Sequence, residues 1–252
     1  RAQRVICRNR RRVQKIYRAR PFDGEASWLR WADFSKAAGD GTLCLARTRR
    51  LVGAMAADLF DSGIPYIIER GSGPNPLGRG ALVRAVKTSV RIGGGDPVDA
   101  SDLVGLLDFV PSSRDKNALS PWGIKTKAAG LDGEVRPTDL RMLGLGRLIT
   151  AAAADPIEVL QKLGRREREY LRRLRKAYGE VPTPTIRLST IHSVKGREAD
   201  DVIISTDIPK IVAQSMAQGG LEAENRVAYV ALTRARKSVR LLWPRGRHSF
   251  SY

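Results

Sequence analysis

The chain has 252 residues, 42% of them hydrophobic, which suits one large domain, or one domain with an insertion, around a substantial core. Its formal net charge of +19 predicts a polyanionic partner, most simply nucleic acid. The sequence contains no apolar run long enough to span a membrane and no secretory signal pattern, and its two cysteines are too few for a disulfide framework, so a cytoplasmic protein is expected.

The first twenty residues are rich in arginine and contain no acidic residue. Val5, Val13 and Ile16 suggest a helix with a weak apolar stripe, and a solvated basic arm is the simplest interpretation. A binding site at residues 8–12 is the alternative. Because the first residue is Arg and not Met, we expect a fragment or a processed chain.

Residues 23–25 predict a turn, and the first strong strand pattern follows at residues 41–48. This apolar run leads into a helix with apolar residues at regular spacing, and Gly63 marks the end of that helix. Residues 64–68 predict the next strand.

Between residues 71 and 180 the pattern changes to short helical stretches separated by loops rich in glycine and proline. The breaks are at residues 71–76, 92–95 and 121–123. The predicted helical stretches are residues 81–90, 98–109, 137–154 and 156–178. This segment predicts a mostly helical insertion. Its basic block at residues 165–176 has two open interpretations, a solvated helix face or a contact with a duplex backbone.

Two β-branched strands, at residues 186–190 and 201–205, enclose a loop with chemically useful side chains. Ligands of α/β sheets collect at such loops. Gly196 permits close approach of a ligand, Glu198 can accept hydrogen bonds from a ribose, and His192 can bridge a phosphate to the loop. The structural alternative is a hydrogen-bonded histidine at a strand end beside a solvated Lys-Gly-x-Glu turn.

Residues 221–237 predict a helix on which Arg226, Val230, Thr233 and Arg234 share a broad face. Small alanines along it permit close approach, so an arginine here can reach across a cleft to a transferring phosphate. A solvated arginine on an amphipathic helix is the alternative. A last strand at residues 238–243 completes at least five short strands, which predicts an α/β fold with a mainly parallel sheet and helices on both faces.

The sequence T-I-H-S-V-K-G-R-E at residues 190–198, then E-N-R-V-A-Y-V-A-L-T-R-A-R at residues 224–236, closely resembles motifs V and VI of the UvrD/Rep-like helicases of superfamily 1. Lys195 favours the UvrD-like branch over the RecD-like branch. The strand, helix and strand at residues 41–68 are similar to the motif IVa region. The resemblance implies a RecA-like fold of the P-loop NTPase type, with residues 1–70 and 181–252 forming motor domain 2A and residues 71–180 a 2B-like helical insertion.

The resemblance also implies an ATP-dependent DNA helicase or translocase that moves 3′ to 5′. The chain has neither a G-x-x-x-x-G-K-[ST] loop nor an Asp-Glu pair for Mg²⁺, so it resembles the C-terminal motor half. ATP would bind between it and a missing N-terminal motor domain that holds the Mg²⁺ ligands, and this chain alone is expected to be inactive. The implied catalytic residue is Arg234, the arginine finger. The implied ATP-binding residues are Lys195, Gly196, Glu198 and Arg234. The implied DNA-binding or coupling residues are Thr190, His192, Arg226, Tyr229, Thr233, Arg47 and Thr48.

For Arg47 and Thr48, structure at the edge of the core is an equal alternative. The expected partners are single-stranded DNA and junctions of single and double strands, with no membrane and no metal site in this chain. Trp122, Trp243 and Tyr66 are available for base stacking. Arg197 and Ala199 depart from the residues that many family members carry. The alternative function is a non-enzymatic, degenerate RecA-like module that binds nucleic acid, although the retained Lys195, Glu198 and Arg234 argue against it.

Overall fold

A computed structural model of the chain describes residues 2–9, 24–115 and 117–252. They form two compact units. The sheet unit consists of the described residues up to 75 together with residues 184–252, and the inserted unit consists of residues 76–183. Each break falls beside a proline, Pro76 or Pro184, where the chain cannot donate a backbone hydrogen bond.

The first part of the sheet unit alternates strands and helices. Its elements are α1 (Ala2–Ile6), β1 (Glu25–Leu29), α2 (Phe34–Ala37), β2 (Leu43–Ala46), α3 (Arg49–Asp61) and β3 (Tyr66–Arg70). All four residues of β2 are buried, as expected of a central strand covered on both faces. The Thr48 side chain caps α3 by accepting a hydrogen bond from the Leu51 amide at 3.3 Å. The predicted strands and helix at residues 41–68 are therefore present.

Strand β1 was not predicted, because the sequence around Glu25 indicated only a turn. It pairs in parallel with the last strand of the chain along its whole length. Four of its five residues are exposed, so its sequence carries no apolar alternation from which a strand could be predicted.

The inserted unit is mostly helical. Its elements are α4 (Gly80–Gly94), β4 (Val98–Asp99), α5 (Ala100–Leu107), β5 (Ser112–Ser113), β6 (Ser120–Pro121), α6 (Ile124–Ala129), β7 (Glu134–Val135), α7 (Pro137–Met142), α8 (Gly146–Ala154) and α9 (Arg165–Tyr178). The predicted break at residues 92–95 begins too early, because α4 continues to Gly94 and ends at Gly95, whose φ of +82° is in the left-handed region. A side chain at Gly93 would lie 2.5 Å from the Ala152 carbonyl oxygen, so this glycine permits the close approach of α8.

Two other predicted helices of the inserted unit are shorter than expected. The stretch at residues 137–154 divides into α7 and α8 at Gly144, whose φ of +84° is in the left-handed region. The stretch at residues 156–178 is helical only from Arg165, while Ile157, Val159 and Leu160 are buried in the turns before it. Apolar side chains at irregular positions thus imitate a helical pattern.

The second part of the sheet unit contains β8 (Ile186–Thr190), β9 (Ala199–Ser205), α10 (Lys210–Ser215), α11 (Leu221–Leu232) and β10 (Ala235–Leu242). The predicted helix at residues 221–237 is too long, because α11 ends at Leu232. Two side chains stop it: Thr233 Oγ1 and Arg234 Nε each donate to the Val230 carbonyl at 3.0 Å. From Ala235 the chain pairs with β9 instead.

The six strands of the sheet unit form one sheet in the order β1-β10-β9-β2-β8-β3, and every pair is parallel. Helices lie around the sheet, so the α/β fold of RecA-like type is confirmed. One buried cluster joins α1, α11 and the segment after β8 to the sheet. It includes Val5, Leu43, Leu45, Ile191, Val194, Val202, Ile204, Ala228, Ala231, Leu232, Val239 and Leu241. This cluster therefore packs the two predicted motif segments, residues 190–198 and 224–236, against the same sheet.

Candidate functional site

The segment after β8 is held by two buried side chains. Ile191 and Val194 belong to a single turn of 3₁₀-helix and pack into the core, whereas His192 and Ser193 between them face solvent. The hydroxyl groups of Thr190 and Ser193 lie 2.9 Å apart and close the turn. Burial of Ile191 and Val194 therefore fixes the position of the polar residues after β8.

The chain then turns at Gly196. Its φ of +85° is in the left-handed region, and a Cβ built there meets no atom within 4 Å, so glycine serves the backbone conformation and leaves open space beside it. The Arg197 amide donates to the Val194 carbonyl at 3.0 Å, and the Arg197 side chain pairs with Glu69. Lys195 and Glu198 are exposed on either side of this turn.

Arg234 lies between α11 and β10 and contacts the same turn. Its Nη1 donates to the Arg197 carbonyl at 3.1 Å, and its Nη2 donates to the Thr233 hydroxyl at 3.0 Å. Its Nε binds the last turn of α11, as described above. The Ala199 amide also donates to the Arg234 carbonyl at 3.0 Å. The structure thus brings Arg234 and the Lys195–Glu198 turn together, although they are far apart in sequence.

A second connection joins the end of β2 to the first turn of α11. Arg47 Nε and Nη2 each donate to a Glu224 carboxylate oxygen at 2.8 Å. The two side chains are only 22% and 11% exposed. The Glu224 carboxylate raises the pKa of Arg47, mainly through these hydrogen bonds. Sequence analysis singled out Arg47 but gave Glu224 no role, since a glutamate near a helix start is ordinarily solvated.

A pocket of about 200 Å³ opens beside this ion pair on the sheet unit. Three of the predicted site residues, His192, Lys195 and Arg226, line it together with Ile191, Val227 and Val230. Burial lowers the pKa of His192, the positive charge of Arg47 lowers it further, and Glu224 acts in the opposite direction. Burial and the Arg47 charge therefore favour the neutral form of the imidazole.

The remaining predicted site residues have local structural contacts. The Thr48 hydroxyl caps α3, and the Thr233 hydroxyl connects the Val230 carbonyl to Arg234. Tyr229 is half-buried on α11. Their DNA-binding or coupling role stays a prediction.

Of the three aromatic residues expected to be available for base stacking, Tyr66 is buried and that expectation is wrong. Its hydroxyl donates to the Pro74 carbonyl inside the sheet unit. Trp122, in the inserted unit, is 65% exposed. Trp243 is 51% exposed and stacks on Trp28.

The basic block on α9 is extensively ion-paired within the inserted unit. Arg168 binds Glu158, and Arg172 binds both Asp155 and Glu158. These pairs favour the interpretation of a solvated helix face, because paired guanidinium groups attract phosphate less strongly.

The predicted site at residues 8–12 lies mostly outside the described residues. Within them, Arg8 Nη1 donates to the Ser251 carbonyl at 2.9 Å. Asn9 joins α1 to α11 by donating to the Glu222 carbonyl at 2.9 Å and accepting from Asn225 at 2.7 Å. This part of the basic arm therefore has a structural role.

Two kinds of feature are absent from the described part of the chain. No helix there has the length and apolarity needed to cross a bilayer. Within the same ranges, no three His, Cys, Asp or Glu side chains gather as a group that could hold a metal ion. The location of the Mg²⁺ ligands in a separate domain stays a prediction.

Comparison with known proteins supports the resemblance seen in the motifs. Residues 167–245 match the family model described as the UvrD-like helicase C-terminal domain. The match contains β8, the turn at Gly196, α11 and Arg234, which are the parts that the fold brings together. No curated protein matches the chain. Residues 167–245 are therefore similar to the C-terminal domain of the UvrD-like helicases.

Proposed function

We propose that the protein is an ATP-dependent DNA helicase or translocase that moves 3′ to 5′, and that this chain is its second motor half. In this role the sheet unit completes an ATP site whose other wall is an N-terminal motor domain, and it contacts single-stranded DNA or a junction. The observation that carries the proposal is the position of Arg234, fixed by three hydrogen bonds beside the turn at Gly196.

The hydrogen bonds of Arg234 leave donors for a ligand. A guanidinium has five N–H groups. Three of them are used by the carbonyl groups of Val230 and Arg197 and by the Thr233 hydroxyl. One N–H on each terminal nitrogen remains, and these two donors can bind phosphate oxygens. Arg234 is thus pre-organised to stabilise negative charge on a transferring phosphoryl group.

The turn beside Arg234 has the properties of a nucleotide contact. Gly196 leaves open space at its α-carbon, and the exposed Lys195 and Glu198 flank it with one positive and one negative charge. The residues present therefore fit an ATP molecule, which supplies the phosphoanhydride that is cleaved. Lys195 would neutralise phosphate charge, and Glu198 would accept hydrogen bonds from a ribose.

Helix α11 provides a physical connection between the two ends of the proposed site. Glu224 binds Arg47 in its first turn, and Arg234 follows its last turn. The nine helical residues from Glu224 to Leu232 span about 14 Å. Movement of Arg234 toward a phosphate would therefore shift Glu224, Arg226 and the α11 side of the pocket at His192 together. We propose that this displacement changes the grip of Thr190, His192 and Arg226 on a DNA strand.

The test is a set of variants in the full-length protein that includes the N-terminal motor domain. We expect Arg234→Ala to lose at least about 1,000-fold in DNA-stimulated ATP turnover while keeping DNA affinity. Arg234→Lys should stay close to Arg234→Ala, because lysine retains the charge but loses the planar pair of donors. The matched control is Arg236→Ala, which removes an exposed arginine two residues away that pairs with Asp200.

Two outcomes would reject the proposal. Unchanged turnover in Arg234→Ala would remove its role as the arginine finger. Appreciable DNA-stimulated turnover by the pure 252-residue chain would show that the ATP site does not need a second domain.

A further inference from the structure

Strands β1 and β10 end side by side with an unusual set of residues. The Trp243 amide donates to the Leu29 carbonyl at 2.9 Å, which aligns residues 28–31 (W-L-R-W) with residues 243–247 (W-P-R-G-R). Three of the four tryptophans in the chain therefore lie at one edge of the sheet unit. Neither segment lies in the motifs on which the proposed function rests.

Trp28 and Trp243 form an exposed aromatic surface. Their ring centroids are 4.5 Å apart with an angle of 22° between the planes, so the rings stack. Trp28 is 40% exposed and Trp243 is 51% exposed. Large aromatic side chains at such positions contribute little to a core, and they present a flat apolar area to a ligand.

An arginine follows each tryptophan of this aromatic surface two positions later in the chain, Arg30 after Trp28 and Arg245 after Trp243. The Arg245 guanidinium lies 4.0 Å from the centre of the Trp31 ring. Trp31, Arg50 and Arg245 line a pocket of about 300 Å³ at the carboxyl ends of the strands. Two acidic residues offset part of the charge, since Asp58 pairs with Arg245 and Asp33 pairs with Arg30. Arg247 adds exposed positive charge in the segment after β10, and Arg49 and Arg50 add it at the start of α3.

We propose that Trp28 and Trp243 form a stacking platform for a base of single-stranded nucleic acid, with the phosphates held by neighbouring arginines such as Arg50 and Arg245. Flat aromatic rings beside guanidinium groups are what an unpaired strand requires, because each base offers a π-face and each linkage a negative charge. The positive surroundings and the net charge of +19 favour this ligand over an apolar protein segment. The inference rests on the DNA contact in the proposed function and adds a binding surface to it.

The test compares tryptophan variants of the 252-residue chain by fluorescence anisotropy with a labelled oligothymidylate and with a duplex of the same length. We expect Trp28→Ala and Trp243→Ala each to weaken single-strand affinity at least about fivefold. Trp28→Phe and Trp243→Phe should recover most of the affinity, because a smaller aromatic ring still stacks. Tyr178→Ala is the matched control, since it removes an exposed aromatic side chain from the inserted unit, and its affinity should stay unchanged.

Salt dependence separates stacking from a general loss of charge contacts. Removal of a tryptophan eliminates no phosphate contact, so the slope of log affinity against log salt should stay as in the unmodified chain. Affinity of both alanine variants equal to that of the unmodified chain would overturn the proposal, as would equal losses for single strand and duplex.

A second measurement applies even if an alanine variant folds poorly. Ultraviolet crosslinking of the unmodified chain to an oligonucleotide that contains bromodeoxyuridine, mapped by mass spectrometry, should label Trp28 or Trp243. Crosslinks confined to other residues would contradict the platform. Oligonucleotide affinity and crosslinking test only the platform. The proposed function is tested by the ATP turnover of the Arg234 variants, so each proposal can be rejected without the other.

Discussion

Arg47 and Glu224 form a two-point ion pair, 2.8 Å at each contact, that joins the end of β2 to the first turn of α11. The pair is largely withdrawn from solvent and lies beside the pocket that contains His192. A buried ion pair of this kind adds little net stability compared with apolar residues, but it defines how two elements meet. Here the elements are the central strand and the helix that precedes Arg234.

Removal of one partner of this pair should be costly. We expect Glu224→Gln to lower the free energy of unfolding of the sheet unit by about 3 kcal/mol, because it leaves the Arg47 charge partly buried without its counter-ion. Urea unfolding followed by tryptophan fluorescence reports mainly on this unit, since three of the four tryptophans, Trp28, Trp31 and Trp243, lie in it.

A double-mutant cycle of Arg47→Met, Glu224→Met and the double variant should give a coupling energy above about 1 kcal/mol, because the double variant removes both charges and recovers most of the loss. Arg236→Gln is the surface control. Its pair with Asp200 is 51% and 41% exposed, so the loss should stay below about 1 kcal/mol. Additive losses in the cycle would show that the pair does not act as a unit.

His192 should titrate below the ordinary histidine pKa of about 6.5. Burial and the Arg47 charge both disfavour the imidazolium and lower the pKa of His192 in the folded state. Because the folded pKa lies below the unfolded one, this contribution to stability is present above about pH 6.5 and is lost as the pH falls through the folded pKa. A two-dimensional NMR titration measures the pKa of His192 directly, as the chain contains only two histidines.

Arg47→Gln provides the sign test for this titration. It removes the cation and leaves the Glu224 carboxylate, so the pKa of His192 should rise. His248 in the same spectra is the internal reference. A His192 midpoint that stays in place or falls in this variant would rule out the electrostatic explanation.

Gly196→Ala should destabilise the sheet unit by about 1 kcal/mol although nothing lies near the added methyl group, because an L residue is strained at a φ of +85°. Gly39→Ala is the matched control, since it is also exposed in open space but its φ is outside the left-handed region. Thermal unfolding of the two variants should therefore separate backbone strain from steric contact. Equal midpoints would contradict the importance of the turn conformation.

Tyr66→Phe should cost about 1 kcal/mol of stability and leave oligonucleotide affinity unchanged. The variant removes the donor that satisfies the Pro74 carbonyl, and the ring itself is buried where a base cannot reach it. Chemical unfolding and fluorescence anisotropy on the same sample measure both quantities. Weaker oligonucleotide binding by this variant would revive the stacking role that burial excludes.

Sequence analysis was most successful where both faces of an element are buried. Strands β2 and β9 contain short apolar runs, and β8 is a short stretch with β-branched residues after Pro184, so all three were predicted as strands. The turn at Gly196 was also identified, since its residue types follow directly after one of these strands. Local composition therefore located the main support of the candidate site.

Features that depend on distant partners could not be predicted in the same way. The exposed β1 exists because β10 pairs with it, and no apolar alternation marks it. Helix α11 ends at Leu232 because the side chains of Thr233 and Arg234 donate to the Val230 carbonyl. The spacing of Thr233 and Arg234 in the sequence is equally compatible with a longer helix. The pairing of Arg47 with Glu224 joins residues 177 positions apart, beyond the reach of any local pattern.

The strand order has a consequence for the order of folding during synthesis. In the described part of the chain, the three strands that precede residue 76 are never neighbours in the sheet: β1 pairs with β10, β2 with β8 and β9, and β3 with β8. Every partner lies after residue 184, so the ribosome must release the last strand before the sheet can close. The inserted unit is continuous in sequence and can fold earlier. The two parts of the sheet unit would then be connected through an already folded domain before their strands pair.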